Sequence, residues 1–122
     1  MLYYEHVFDF ERLEVYQRAL NYSKEVYKLT LQYRKELQYS LGDQFRRAAL
    51  SICNNIAEGS RKFGKAKKQF YEYAFDSARE RIPMISISSE LSQLPKDKEI
   101  FLRSECVQIC NMLFKLSGSV KV

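Results

Sequence analysis

With 122 residues, 46% of them hydrophobic and 29% charged, the chain has the composition of an ordinary globular protein rather than a disordered or fibrous one. Its 20 Lys+Arg against 15 Asp+Glu give a formal net charge of +5, and no apolar run approaches the roughly 18 residues of a membrane span. With 4 Gly and 2 Pro it has too little turn punctuation for a many-stranded fold, so the length points to one domain over 1–122 built of a few long elements.

The N-terminus reads MLYYEHVFDF, with Glu5 and Asp9 inside it and no basic-then-apolar leader. This predicts a cytoplasmic protein with a short arm over 1–9. Helical periodicity then runs over 10–33. Leu13, Tyr16, Leu20, Ser23, Tyr27 and Thr30 recur at spacings of three and four, a heptad seam. Val15, Ala19, Tyr22, Val26, Leu29 and Tyr33 form a second seam beside it. Together the seams cover about 160°, more than the stripe of roughly 100° that one core-facing side needs. The second seam is therefore a candidate oligomer interface. The same pattern also fits a central helix in its own bundle with tyrosines at the edge.

The second segment spans 39–58 and is predicted to stop at Gly59, with a core stripe of Leu41, Phe45, Ala48, Ala49, Ile52 and Ile56 and Cys53 beside it. The third begins after Gly64 and continues to 94, with Phe70, Tyr73, Ala74, Ser77, Met84, Ile87 and Leu91 near one face. Pro83 removes the amide that would bond the Arg79 carbonyl, which predicts a kink or break. The fourth runs over 97–116 with Asp97 as N-cap, with Leu102, Cys106, Ile109, Leu113 and Leu116 inward, Gly118 as a stop and a tail over 117–122. Four helices with short links predict an all-α, antiparallel up-down-up-down four-helix bundle.

The positive charge is local. Residues 1–60 hold eight basic and eight acidic side chains; residues 61–122 hold twelve against seven. Arg61, Lys62, Lys65, Lys67 and Lys68 place five cations in eight residues, with no acid before Glu72. Phe63 and Tyr71 lie within or beside the run, and Arg46 and Arg47 add to it if the second helix presents them on the same side. Such a cluster attracts phosphate backbones and releases counterions, and aromatics among cations suit stacked single-stranded bases. The alternative is a solvated basic loop. Lysines at a helix N-terminus oppose the helix dipole, a small cost that favours a functional role.

The three cysteines, Cys53, Cys106 and Cys110, include no Cys-x-x-Cys pair, and His6 is the single histidine. They read as small buried hydrophobes, and neither a metal site nor a cofactor is expected. One histidine cannot build a triad, and the carboxylate pairs Glu11/Glu14 and Glu36/Asp43 sit among basic residues as solvated faces. The chain is expected not to be an enzyme.

The run Leu41-Gly42-Asp43-Gln44-Phe45-Arg46-Arg47-Ala48-Ala49-Leu50-Ser51-Ile52, followed by Asn55-Ile56-Ala57-Glu58-Gly59, resembles the signature of the small bacterial four helix bundle protein family. That family includes proteins encoded in intervening sequences of large-subunit ribosomal RNA genes and is related to the accessory variability determinants of diversity-generating retroelements. Phe10-Glu11-Arg12-Leu13-Glu14-Val15-Tyr16-Gln17 and Val26-Tyr27-Lys28-Leu29-Thr30 look like the same family's first helix. The resemblance covers most of 8–80. It implies a homopentameric, barrel-like ring with a basic surface and no catalysis of its own. In the retroelement branch such rings bind RNA or DNA and a reverse transcriptase during mutagenic homing. The family's basic positions carry over onto Arg46, Arg47 and Arg61, with Lys62, Lys65, Lys67 and Lys68 matched by charge. Asp76-Ser77 and Glu80-Arg81 depart from its third-helix pattern. Asn54 and Asn55 read as register-setting polar residues, and Glu58, near a helix C-terminus, needs a partner such as Arg61.

Overall fold

A computed structural model of the chain describes residues 7–122. His6 and most of the expected N-terminal arm lie outside the described residues. A 3-10 turn, Asp9–Arg12, leads in, with the Phe8 amide donating to Glu11 Oε1 at 2.9 Å. Helix α1 spans Glu14–Thr30. A helical turn at Lys35–Leu37 and a wide π turn at Gln38–Gly42 then feed α2, Asp43–Ser60. Helix α3 is Gly64–Arg79, α4 is Arg81–Glu90 and α5 is Lys96–Gly118. Helices α3 and α4 share the third rod, interrupted at Glu80, three residues before Pro83. There is no strand among the described residues. The molecule is a four-helix bundle: α2 packs on α1 and α3, while α5 packs on α3 and closes against α1, with α4 lying mainly on α5.

The inward faces of α2 and α5 follow their sequence stripes. Phe45, Ala49, Ile52 and Ile56 face Leu102, Cys106, Ile109 and Leu113 in one core, all essentially without exposure. Burying a side chain of this size contributes about 1.5–3 kcal/mol. Helix α1 reverses the expected roles of its seams. Val15, Ala19, Tyr22, Val26 and Tyr33, read as an outward interface, are at most 5% exposed and form part of the core, with Leu29 packed against it. Of the other seam, Leu20 and Tyr27 are exposed, while Thr30 is buried and Leu13 and Tyr16 pack against the core. Ala19 and Val26 sit where α1 meets its neighbours and Tyr22 fills the core beside them, while Tyr27 stays outside with the Arg46 guanidinium 5.6 Å from its ring centroid.

The third rod is also rotated from its predicted face. Tyr71, Ala74, Ala78, Arg81, Ile85 and Ser88 point inward, while Tyr73, Ile87 and Leu91 are exposed. Asp97 is not the N-cap of α5; Pro95 holds that position, and Asp97 lies in the first turn, where its charge favours the helix dipole.

Two glycines act differently from the stops the sequence suggests. Helix α2 runs through Gly59 to Ser60. A Cβ at Gly59 would stand 2.9 Å from Tyr71 Cε1 and 3.1 Å from Phe70 Cβ, so its missing side chain is what lets α2 and α3 meet. Gly59→Ala should therefore lower the melting temperature by a few degrees. The gain in helix propensity, up to about 1 kcal/mol, is outweighed by overpacking of about 1–3 kcal/mol. A circular-dichroism melt checks this; an unchanged or higher midpoint would mean that the Tyr71 ring moves aside freely. Helix α5 likewise runs through Gly118, leaving only 119–122 of the expected tail outside it.

Candidate nucleic-acid interface

The link between α2 and α3 turns sharply over 61–63. Arg61 closes α2 in the helical region, Phe63 is extended (φ −130°, ψ 154°), and Gly64 takes φ +56°, a left-handed conformation that a side chain would strain. This elbow carries the basic run. Glu58 Oε2 pairs with Arg61 Nη2 at 3.2 Å and with Lys62 Nζ at 3.4 Å, so one carboxylate is shared between two cations, the partnership expected for Glu58. Lys62 Nζ also lies 5.7 Å from the centroid of the Phe70 ring. Lys67 Nζ donates to the Ser60 carbonyl at 3.0 Å and sits 5.4 Å over Tyr71, satisfying an open carbonyl at the end of α2. Lys68 Nζ reaches the Ser117 carbonyl near the end of α5 at 3.5 Å. Lys65 is exposed and has no hydrogen-bond or ion-pair partner among the described residues. Phe63 is 86% exposed between Lys62 and Lys65.

Arg46 and Arg47 do not join this cluster. They precede the elbow by most of α2, about 22 Å from Arg46 to Arg61 at 1.5 Å per residue. Arg46 is spent internally. Nη1 donates to Thr30 Oγ1 at 2.9 Å, Nη2 donates to the Gln38 carbonyl at 2.8 Å, and the guanidinium lies 5.6 Å from the Tyr27 centroid. It clamps the end of α1 to the π turn. Arg47 is exposed, but Asp43 holds it at 3.0 Å.

The end of α5 adds residues that the basic run did not disclose. A groove of about 510 Å³ between α3 and α5 is lined by Lys68, Glu72, Phe75, Asp76, Leu113 and Phe114, among others. Phe114 is 72% exposed. With Ile100 and Val107, also exposed, it makes an apolar stripe repeating every seven residues on the outside of α5. Heptad counting on the fourth segment would have revealed it, because α5 has apolar residues on two sides.

The cysteines offer no activated thiol. Burial pushes the Cys53 and Cys106 thiols up to about 11 and raises that of Cys110, while Cys106 Sγ donates to Tyr22 Oη at 3.1 Å. Among the described residues no three His, Cys, Asp or Glu side chains converge to hold a metal ion, and no helix is long and apolar enough to cross a membrane.

Comparison with known families matches residues 11–115 to the 23S rRNA-intervening sequence protein family. The match covers most of the chain, which therefore belongs to that family. No curated protein matches it.

Proposed function

We propose that this member of the 23S rRNA-intervening sequence protein family is a non-catalytic cytoplasmic protein that associates with copies of itself and holds nucleic acid against its α2–α3 elbow. The observation that carries the reading is the charge at that elbow: Arg61 and Lys62 in the link and Lys65, Lys67 and Lys68 at the start of α3, with Glu58 the one acid paired among them. Such a patch binds phosphates without reading sequence. Self-association is assigned to the outer stripe of α5, Ile100, Val107 and Phe114, in place of the α1 seam, because an exposed heptad stripe is a seam along which copies of a helix pack. The resemblance implies a pentamer, which multiplies the elbow charge fivefold on one particle. Ser51 bonded to Ser77 and Gly59 against Tyr71 pair α2 with α3 in opposite directions, and Lys68–Ser117 and Cys110–Phe75 do so for α3 and α5. These pairs support the alternating up-down-up-down path.

The test is a titration of a labelled duplex between 50 and 200 mM salt, with light scattering on the same sample. Each phosphate neutralised adds about −0.9 to the log–log slope, so an elbow engaging three should give a slope near −3. Reversing Lys65, Lys67 and Lys68 to Glu should reduce affinity by more than about tenfold with helical content retained, and Val107→Asp should shrink the particle. An unchanged affinity in the triple variant would remove the elbow as the site. The narrower role, assistance to a reverse transcriptase in cDNA synthesis, requires co-purification with that enzyme. A second reading, a scaffold working through protein contacts alone, is favoured by the exposed α5 stripe. It predicts an assembly of fixed size that is insensitive to salt and retains no nucleic acid.

A further inference from the structure

We infer that the elbow takes a single strand of nucleic acid in preference to a duplex, with Phe63 as the platform on which one base stacks; this rests on the nucleic-acid reading above. Phe63 is the most exposed large apolar side chain among the described residues. The backbone that carries it is fixed. The preceding Lys62 is tied to Glu58 and lies over Phe70, the following Gly64 turns the chain with φ +56°, and the missing side chain of Gly59 locks α2 against α3 just behind. Apart from its chain neighbours and its own helix backbone, no heavy atom lies within 4 Å of where a Cβ of Gly64 would stand, so a ligand can approach the backbone there. A phenyl ring offers nothing to a phosphate. In a duplex the base faces are covered by their neighbours, leaving the ring without a counterpart, whereas an unpaired strand presents those faces. Arg61 and Lys62 on one side of Phe63 and Lys65 on the other supply cations for the flanking phosphates.

The experiment uses the full chain, a labelled 12-nucleotide oligo-dT and a 12-base-pair duplex, read by fluorescence anisotropy at low salt. Phe63→Ala should weaken oligo-dT binding about tenfold and duplex binding less than twofold, since stacking supplies that order of affinity per base. Phe63→Trp should restore oligo-dT binding. Because the chain has no tryptophan of its own, the indole emission of this variant reports on position 63 alone and should be quenched by the oligonucleotide. Lys65→Glu should weaken both ligands alike. The inference falls if Phe63→Ala leaves oligo-dT binding unchanged or weakens both ligands equally. It also falls if the indole emission of the Phe63→Trp variant ignores oligo-dT and follows particle size, which would place the ring in a protein contact. If the unaltered chain binds neither ligand, the nucleic-acid reading falls as well.

Discussion

Between pH 9 and pH 11 the bundle should lose roughly 4 kcal/mol of stability, a large share of what a domain of this size has. The source is the pair of core thiols. Burial holds Cys53 and Cys106 protonated until about 11, whereas a thiol in the unfolded chain ionises near 8.5. A folded-state value above the unfolded one stabilises fully below the unfolded value and is lost as pH rises through the folded one. Each thiol therefore contributes about 2–3 kcal/mol at neutral pH that is absent by pH 11. Tyr22, driven well above its usual range by burial and then by Cys106, steepens the loss above pH 10. Urea midpoints at pH 7, 9 and 10.5 measure this, and Cys106→Ala should flatten the curve. A midpoint constant from pH 8 to 10.5 would show that the thiols ionise within the folded bundle.

Arg81→Met should make the protein more stable by about 1–4 kcal/mol, because a methionine of similar volume removes the charge that must be desolvated. The Arg81 side chain is 6% exposed, and its Nε and Nη1 are buried without a partner among the described residues. Its nearest carboxylate, Glu80 Oε1, lies 3.8 Å from Nη2 and is itself mostly in solvent. Burial depresses the guanidinium pKa, partly offset by Tyr22 and Glu80. Truncation to Ala should be less favourable than Met, because it leaves a cavity. Denaturant midpoints of the three proteins rank them. A Met variant weaker than the parent by more than about 1 kcal/mol would mean that an acceptor such as a bound water holds the arginine.

Four rods and two of their faces could be read from apolar spacing, because Phe45 to Ile56 form one stripe on α2 and, on α5, Leu102, Cys106, Ile109 and Leu113 form a denser stripe than Ile100, Val107 and Phe114 on its other side. Helix α1 could not be resolved that way. Both of its seams have heptad spacing and similar polarity, and only the shape of the neighbouring helices selects Ala19 and Tyr22 over Leu20 and Tyr27. On the third rod the large side chains misled: Ala74 and Ala78 permit the close contact that Tyr73 and Ile87 would block. The elbow was legible because charge density is a property of sequence. The assignment of Arg46 was not, since the carbonyl it satisfies is freed by a π turn that no residue pattern announces. Glu58 with Arg61 was legible, being a neighbour pair on one helical face.

The outer stripe of α5 also carries a handedness. Ile100, Val107 and Phe114 recur every seven residues, but seven residues of a straight α-helix stop about 20° short of two full turns, so the stripe drifts about 40° between its ends. A straight neighbour cannot follow it side by side and must cross at a slant, always in the same sense. Copies joined along this helix would lean successively, like blades set at one pitch around a hub.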